Sequence, residues 1–304
     1  MMDQHHILLL ERLNRELEAS DPGLLVAFPY QAYLDLLCRR ATFTGYRDPG
    51  AELAAFCSRI AARGGAELLC RYQRGLLCHI AGLGLSAPLP AQFPDAVKLQ
   101  CRDEFKRMIA ELAEHPPEWY SWEEDLFCKD LAICCFRMFP AGFLKVEMHA
   151  GIPRSLLLRV GLGEKFPLMA LVARLGGFRP YFEMHLDVRQ KETFNPQGWQ
   201  YSLCLVGRTM EAFPEVKGLT GSSWFFDPRI RAISPRLVYL REMIELAGSS
   251  FFFFGRSERT TELATSASPT RRARYLEGRY LPASYLAVWP RRELIRYAAQ
   301  EGTA

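Results

Sequence analysis

The sequence predicts an α+β chain, with an N-terminal helical region followed by a mixed α/β sheet domain. Three observations predict it. Residues 1–125 repeat apolar positions at helical spacing between Pro and Gly breaks. Beyond them, short apolar runs bounded by Pro or Gly take over, as strands do. The last 85 residues then read as strand, helix, strand, helix, strand. The predicted domains are therefore 1–125, helical, and 126–304, mixed α/β.

The first helix is predicted over residues 7–17, where Ile7, Leu8, Leu9, Leu10, Leu13 and Leu17 are apolar. Segments 33–38, 51–62 and 66–80 continue in the same style. Asp21-Pro22-Gly23, Asp48-Pro49-Gly50 and Gly64-Gly65 are read as turns between them. The Pro-rich stretch 85–94 is a loop. Helix resumes over 95–114 and is stopped by His115-Pro116-Pro117.

Strands are predicted at 131–136, 143–149, 181–188 and 199–206. Gly176-Gly177 and Asn195-Pro196-Gln197-Gly198 mark connections among them. A further strand is predicted at 222–226. A helix follows, with Ser234 as N-cap and Pro235 at its first position, closed by Gly248. The run 250–254 holds four consecutive Phe and is read as a central strand, buried on both faces. A helical segment over 258–277 and a strand over 284–289 complete the chain, and neighbouring parallel strands are expected.

Apolar residues are 49% of the 304 and charged residues 24%, which excludes a disordered chain, a collagen-like fibre and a coiled coil. No apolar run is long enough to span a bilayer. The first ten residues lack the basic start of a secretory signal. The nine Cys are irregularly spaced with no C-x-x-C pair, so they read as buried free thiols in a reducing, cytoplasmic setting. Residues 227–304 carry 13 Arg, no Lys and 8 Asp+Glu, a net +5, which leaves −1 for the first 226 residues. Arg suits bidentate recognition of phosphate or carboxylate. With no nucleic-acid module in the sequence, no nucleic-acid partner is expected.

Two Glu-Met-His triplets stand out, Glu147-Met148-His149 and Glu183-Met184-His185. On a strand, residues i and i+2 share a face. Adjacent strands would bring Glu147, His149, Glu183 and His185 together for general acid–base work or for a divalent metal. The plain alternative is two solvated strand faces. Gly-Leu-Thr-Gly-Ser-Ser at 218–223 offers close backbone approach and the amides of Ser222 and Ser223 as donors. Arg229, Arg231 and Arg236 crowd a strand-to-helix turn, an arrangement suited to an anion.

The order of elements in the C-terminal half resembles the GNAT acyltransferase fold. In that family, antiparallel strands precede a strand that feeds a helix whose N-terminus binds the CoA pyrophosphate, and a further strand, helix and strand follow. Ala273, Tyr275, Gly278 and Tyr280 resemble the family's late helix. The family's Gly-rich pyrophosphate signature is missing from 227–236. The resemblance implies an N-acyltransferase that moves an acyl group from acyl-CoA, or from a thioester on an acyl carrier protein, to an amine. Glu183 or His185 would deprotonate the amine. The amides near Ser222 and Ser223 would hold the thioester carbonyl, and Arg229 and Arg231, with Arg236 beside them, would face phosphate. Tyr275 would protonate the leaving thiolate. Two alternatives stay open: a metal-dependent enzyme built on the two Glu-x-His pairs, and a non-enzymatic binding protein with a basic C-terminal face.

Overall fold

The computed structural model describes residues 4–187 and 189–302. Residues 1–3 of the N-terminal reading, and Val188 at the end of the predicted strand 181–188, lie outside the described residues. The chain divides into two compact units, one ending at Pro140 and the other running from Ala141 to its end. The sequence pattern changes near residue 125; helix α6, Asp125–Cys134, lies between that position and the end of the first unit. Helices followed by a six-stranded mixed sheet make the class α+β.

The first unit holds α1 (Gln4–Ser20), α2 (Leu24–Ala27), α3 (Tyr30–Arg39), α4 (Gly50–Ser86), α5 (Asp95–Glu111) and α6. The predicted turn at Gly64-Gly65 is a kink inside α4. Both glycines leave helical geometry and Gly65 has φ 75°, yet hydrogen bonding resumes on either side. Glycine also lets α4 approach its neighbours. A Cβ on Gly82 would lie 2.0 Å from the His6 ring, whose Nε2 is 3.1 Å from the Cys78 carbonyl oxygen. The strand predicted over 131–136 is instead the end of α6. A short apolar run does not distinguish a buried helix from a strand. Here the polar residues decide: Lys129 pairs with Asp125 one turn back at 2.7 Å, and Asp130 accepts from Arg107 of α5 at 2.7 Å.

The sheet runs β1-β2-β3-β4-β6-β5, comprising β1 (Met138–Ala141), β2 (Leu144–Ala150), β3 (Tyr181–Leu186), β4 (Gly218–Ser223), β5 (Ser250–Gly255) and β6 (Ser284–Pro290). Between them lie α7 (Leu156–Arg159), α8 (Leu162–Arg174), α9 (Pro196–Glu211), α10 (Ile230–Ile233), α11 (Tyr239–Leu246), α12 (Glu258–Thr265) and α13 (Pro269–Leu276); α14 (Arg291–Glu301) follows β6. Segment 199–206, predicted as a strand, lies within α9. The start signal was in the sequence: Asn195 accepts from the Gly198 amide at 2.8 Å as N-cap, and Pro196 follows at the first turn.

Two expectations about the last strands are corrected. β5 is an edge strand, and of its four Phe only Phe252 is buried. β6 inserts between β4 and β5 and runs antiparallel to both, so the expected parallel neighbours do not form there. The half-buried Phe251, Phe253 and Phe254 instead lie against guanidinium groups. Arg241 lies 4.1 Å from the Phe251 ring centre, Arg159 5.3 Å from Phe254 and Arg256 5.6 Å from Phe253. Glu164 of α8 accepts from the Phe253 amide at 3.1 Å, satisfying an edge donor. The predicted strand 222–226 ends at Ser223 and turns into a short 3-10 segment, with the Ser223 hydroxyl accepting from the Phe225 amide. Among the described residues one parallel pair remains, β3 beside β4, joined through α9.

Candidate functional site

Register places the polar residues. In the antiparallel pair β2–β3, Glu147 is opposite Glu183 and Lys145 is opposite His185. Strand alternation puts all four on one face of the sheet. Thr220 of β4 is in register with Glu183 and joins that face, as does the exposed Ser222 two residues on. Toward the start of β3 the same face is apolar: Tyr181, Phe252, Leu286 and Val288 pack under Leu156, Leu168, Leu171 and Val172 of α7 and α8. The polar cluster thus borders a dry core on one side and reaches the exposed Ser222 toward the C-terminal ends of β3 and β4. Ligands in sheets with parallel strands commonly bind at such ends.

Among the described residues, β3 and β4 pair at only Phe182↔Leu219 and Glu183↔Thr220. The Thr220 hydroxyl reinforces the join by donating to the Phe182 carbonyl at 3.0 Å. The Met184 side chain lies against Gly221, where a Cβ would come 2.5 Å from Met184 Cγ. The parallel strands therefore stop pairing at the position that carries Glu183.

One ligand atom from each of Glu147, Glu183 and His185 falls within 4.8 Å of the others. His185 Nε2 is 3.4 Å from a Glu147 carboxylate oxygen, and Glu147 is buried. Burial pushes the Glu183 carboxyl above the ordinary carboxylate range. His185 opposes the rise and the facing Glu147 adds to it. His149 falls in the irregular stretch between Glu147 and Ala150 and is not one of the three converging residues.

A second polar set lies beside the first. Lys145, with no solvent exposure, is 3.5 Å from the Asp187 carboxylate, whose side chain is 1% exposed. Arg189 adds bonds to both Asp187 oxygens, at 3.0 Å from Nε and 2.9 Å from Nη2. Burial alone would raise the Asp187 carboxyl. The hydrogen bonds and charge of Arg189, with Lys145, overcome this and hold it well below the ordinary range. Lys145 escaped the sequence reading, although its position two residues before Glu147 marks it for the same face.

Two of the three Arg of the turn pair with carboxylates of the same unit. The buried Asp227 carboxylate receives Arg229 through its backbone amide and its side chain, at 3.0 and 2.6 Å, and the guanidinium lies over Tyr280. Arg231 pairs with Glu242 and Arg236 is exposed. Ser234 does not cap the following helix; its hydroxyl accepts from the buried Arg271 at 3.1 Å. Tyr275 stands apart from the converging residues, partly exposed on α13. The described Cys are all free. Burial raises the thiols of Cys57 to about 11 and of Cys78, Cys128 and Cys135 to about 12, so at neutral pH these are thiols.

Sequence reasoning missed a cleft of about 780 Å³ lined by Gly151, Arg154, Gly177, Arg179 and Lys217 among others, with no acidic residue in its wall. Comparison with protein-family models, with curated proteins and with solved structures gave no match. No described helix is long and apolar enough to cross a membrane.

Proposed function

We propose that the chain is an N-acyltransferase in which Glu183 takes the proton from an amine while that amine attacks a thioester carbonyl, releasing the thiol of CoA or of an acyl carrier protein. One observation carries this reading: a carboxyl whose pKa is raised by burial sits where parallel β3 and β4 stop pairing, on the sheet face that also carries the exposed Ser222. A general base serves best when its pKa lies near the working pH, and burial moves Glu183 in that direction. Glu147 and His185, within reach of it, would hold the abstracted proton near the site. The order of elements supports the same reading. Antiparallel β2 and β3 precede α9, and β4, helix and β5 follow, as the resemblance implies, with a further helical stretch and β6 after them. In that order the helix fed by the last antiparallel strand is α9, which begins at Asn195-Pro196 and not at Ser234-Pro235. Because Arg229 is held by Asp227, the phosphate-bearing end of the donor is better served near α9 than by the 227–236 turn.

The test is thiol release by the full chain from a panel of acyl-CoAs with primary amines. Glu183→Gln keeps the size of the side chain and removes the base. The expected loss of rate is roughly a hundredfold to ten-thousandfold. No thiol release with any donor, or full activity in E183Q, would sink the proposal.

A second reading rests on the convergence of Glu147, Glu183 and His185. Two carboxylates and an imidazole suit Mn, Fe or Zn. Ligand atoms around such an ion stand roughly 3 to 4 Å apart for bonds of about 2.1 Å, so the set needs little contraction. Metal analysis after loading with each ion decides it. Near-stoichiometric retention that is lost in Glu147→Gln would favour a metal centre over a simple base.

A further inference from the structure

We infer that α7 and α8 form a docking face for an anionic lipid surface. The observation is an apolar stripe on the outside of α8. Leu162 is 78% exposed, Phe166 79% and Met169 55%, spaced by four and three residues, and Leu158 of α7 adds a fourth at 85%. Residues four and three apart share one side of a helix. The opposite side of α8 is spent on the sheet, where Leu168, Leu171 and Val172 enter the core. α8 is thus apolar on two sides, which no burial within the described chain explains. This doubled pattern also hid the helix from sequence reading, since no polar stripe marks its solvent side.

The charges around the stripe are mostly positive. Segment 151–180 holds Arg154, Arg159, Lys165, Arg174 and Arg179 against a single carboxylate, Glu164. That carboxylate is occupied by the Phe253 amide of the edge strand. Arg154, Arg159, Arg174 and Arg179 are exposed. Arg154 and Arg179 also line the cleft that has no acidic residue in its wall, at the two ends of the same segment. A helix with protruding Leu and Phe beside basic residues binds the boundary of an anionic bilayer. Its apolar side chains enter among the acyl chains and its cations lie among the headgroups.

The shape favours lipid over a folded partner. Leu158, Leu162 and Phe166, each exposed by more than three quarters, are knobs, and neither they nor Met169 line the cleft. A fluid lipid surface deforms around a knob, whereas a folded protein must offer a matching hollow. The inference stands apart from the proposed reaction, because vesicle binding requires no acyl donor.

The experiment is co-sedimentation of the full chain with vesicles of phosphatidylcholine alone and of phosphatidylcholine mixed with phosphatidylglycerol, at low and high salt. Binding to the anionic vesicles, weakened by salt and weaker on phosphatidylcholine, is the expected result. The variant L162S/F166S should lose at least about tenfold in binding, because two side chains no longer leave water. Its circular dichroism and Tm should match the wild type, since neither side chain is buried. R159E/R174E should lose binding to anionic vesicles only. Failure to bind anionic vesicles at low salt, or equal binding by L162S/F166S, overturns the inference. So does a wild-type dimer that L162S/F166S converts to monomer without any lipid binding, which would assign the stripe to a second copy of the chain.

Discussion

Replacing Asp187 tests the polar set behind the candidate site. Lys145 is fully buried and its ammonium lies 3.5 Å from the Asp187 carboxylate. At an effective dielectric constant of about 20, that separation corresponds to roughly 5 kcal/mol of attraction. Desolvation of both groups offsets much of this in the wild type, so the pair contributes little net stability. Removing the carboxylate differs, because the fully buried Lys145 ammonium then loses the opposite charge at 3.5 Å, at a cost of about 3–5 kcal/mol. Asp187→Asn keeps an acceptor for Arg189 but not the charge opposite Lys145. We expect that loss at neutral pH, with Tm lower by about 10 °C at roughly 2–4 °C per kcal/mol. The pH dependence follows from linkage. The folded-state pKa of Asp187 is depressed, so its contribution is present above the ordinary carboxylate pKa and is lost as pH falls through that value toward the folded one. The gap between wild type and D187N should therefore narrow in acid. Lys145→Met alone should cost less than D187N, because Asp187 retains Arg189, and the double variant should recover part of the loss. Urea denaturation at several pH values is the assay. A D187N loss below about 1 kcal/mol at neutral pH, or a gap that does not narrow in acid, would refute the reasoning.

Other expectations follow from single contacts. Glu183→Gln should stabilise the fold at neutral pH while it slows thiol release roughly a hundredfold or more. The folded chain binds the Glu183 proton more tightly than the unfolded chain, so wild-type stability falls as pH rises through that range and the variant's should not; thermal unfolding against pH reads this. Gly198→Ala would place a Cβ 1.9 Å from the Thr193 carbonyl oxygen at the start of α9, and a loss of about 1–3 kcal/mol in denaturant titration is expected. On α8, Leu168→Ala should cost about 2–5 kcal/mol because Leu168 is buried. Phe166→Ser on the same helix should stay within about 0.5 kcal/mol in the same titration.

The helical half was legible because amphipathic helices declare their period in local sequence. Segment 7–17 fell inside α1 and 95–114 closely matched α5. Where both faces are apolar the period disappears. That is why 131–136 and 199–206 were read as strands, and why α7 and α8 were not read at all. The cap at Asn195-Pro196 would have corrected the second of these.

For the site, the sequence by itself determined that Glu147 and Glu183 each share a strand face with the residue two away, because alternation is a local property of the backbone. Which of those residues meet depends on how the strands pair. The β2–β3 register sets Glu147 against Glu183 and Lys145 against His185, while the irregularity after Glu147 leaves His149 outside the cluster. Tertiary pairing also turns Arg229 and Arg231 toward Asp227 and Glu242. It places the four Phe at an edge, because β6, last of the strands in sequence, pairs between β4 and β5. Strand order and charge pairing depend on residues far apart in the chain, and local sequence carries no record of which distant partner a strand or a charge will find.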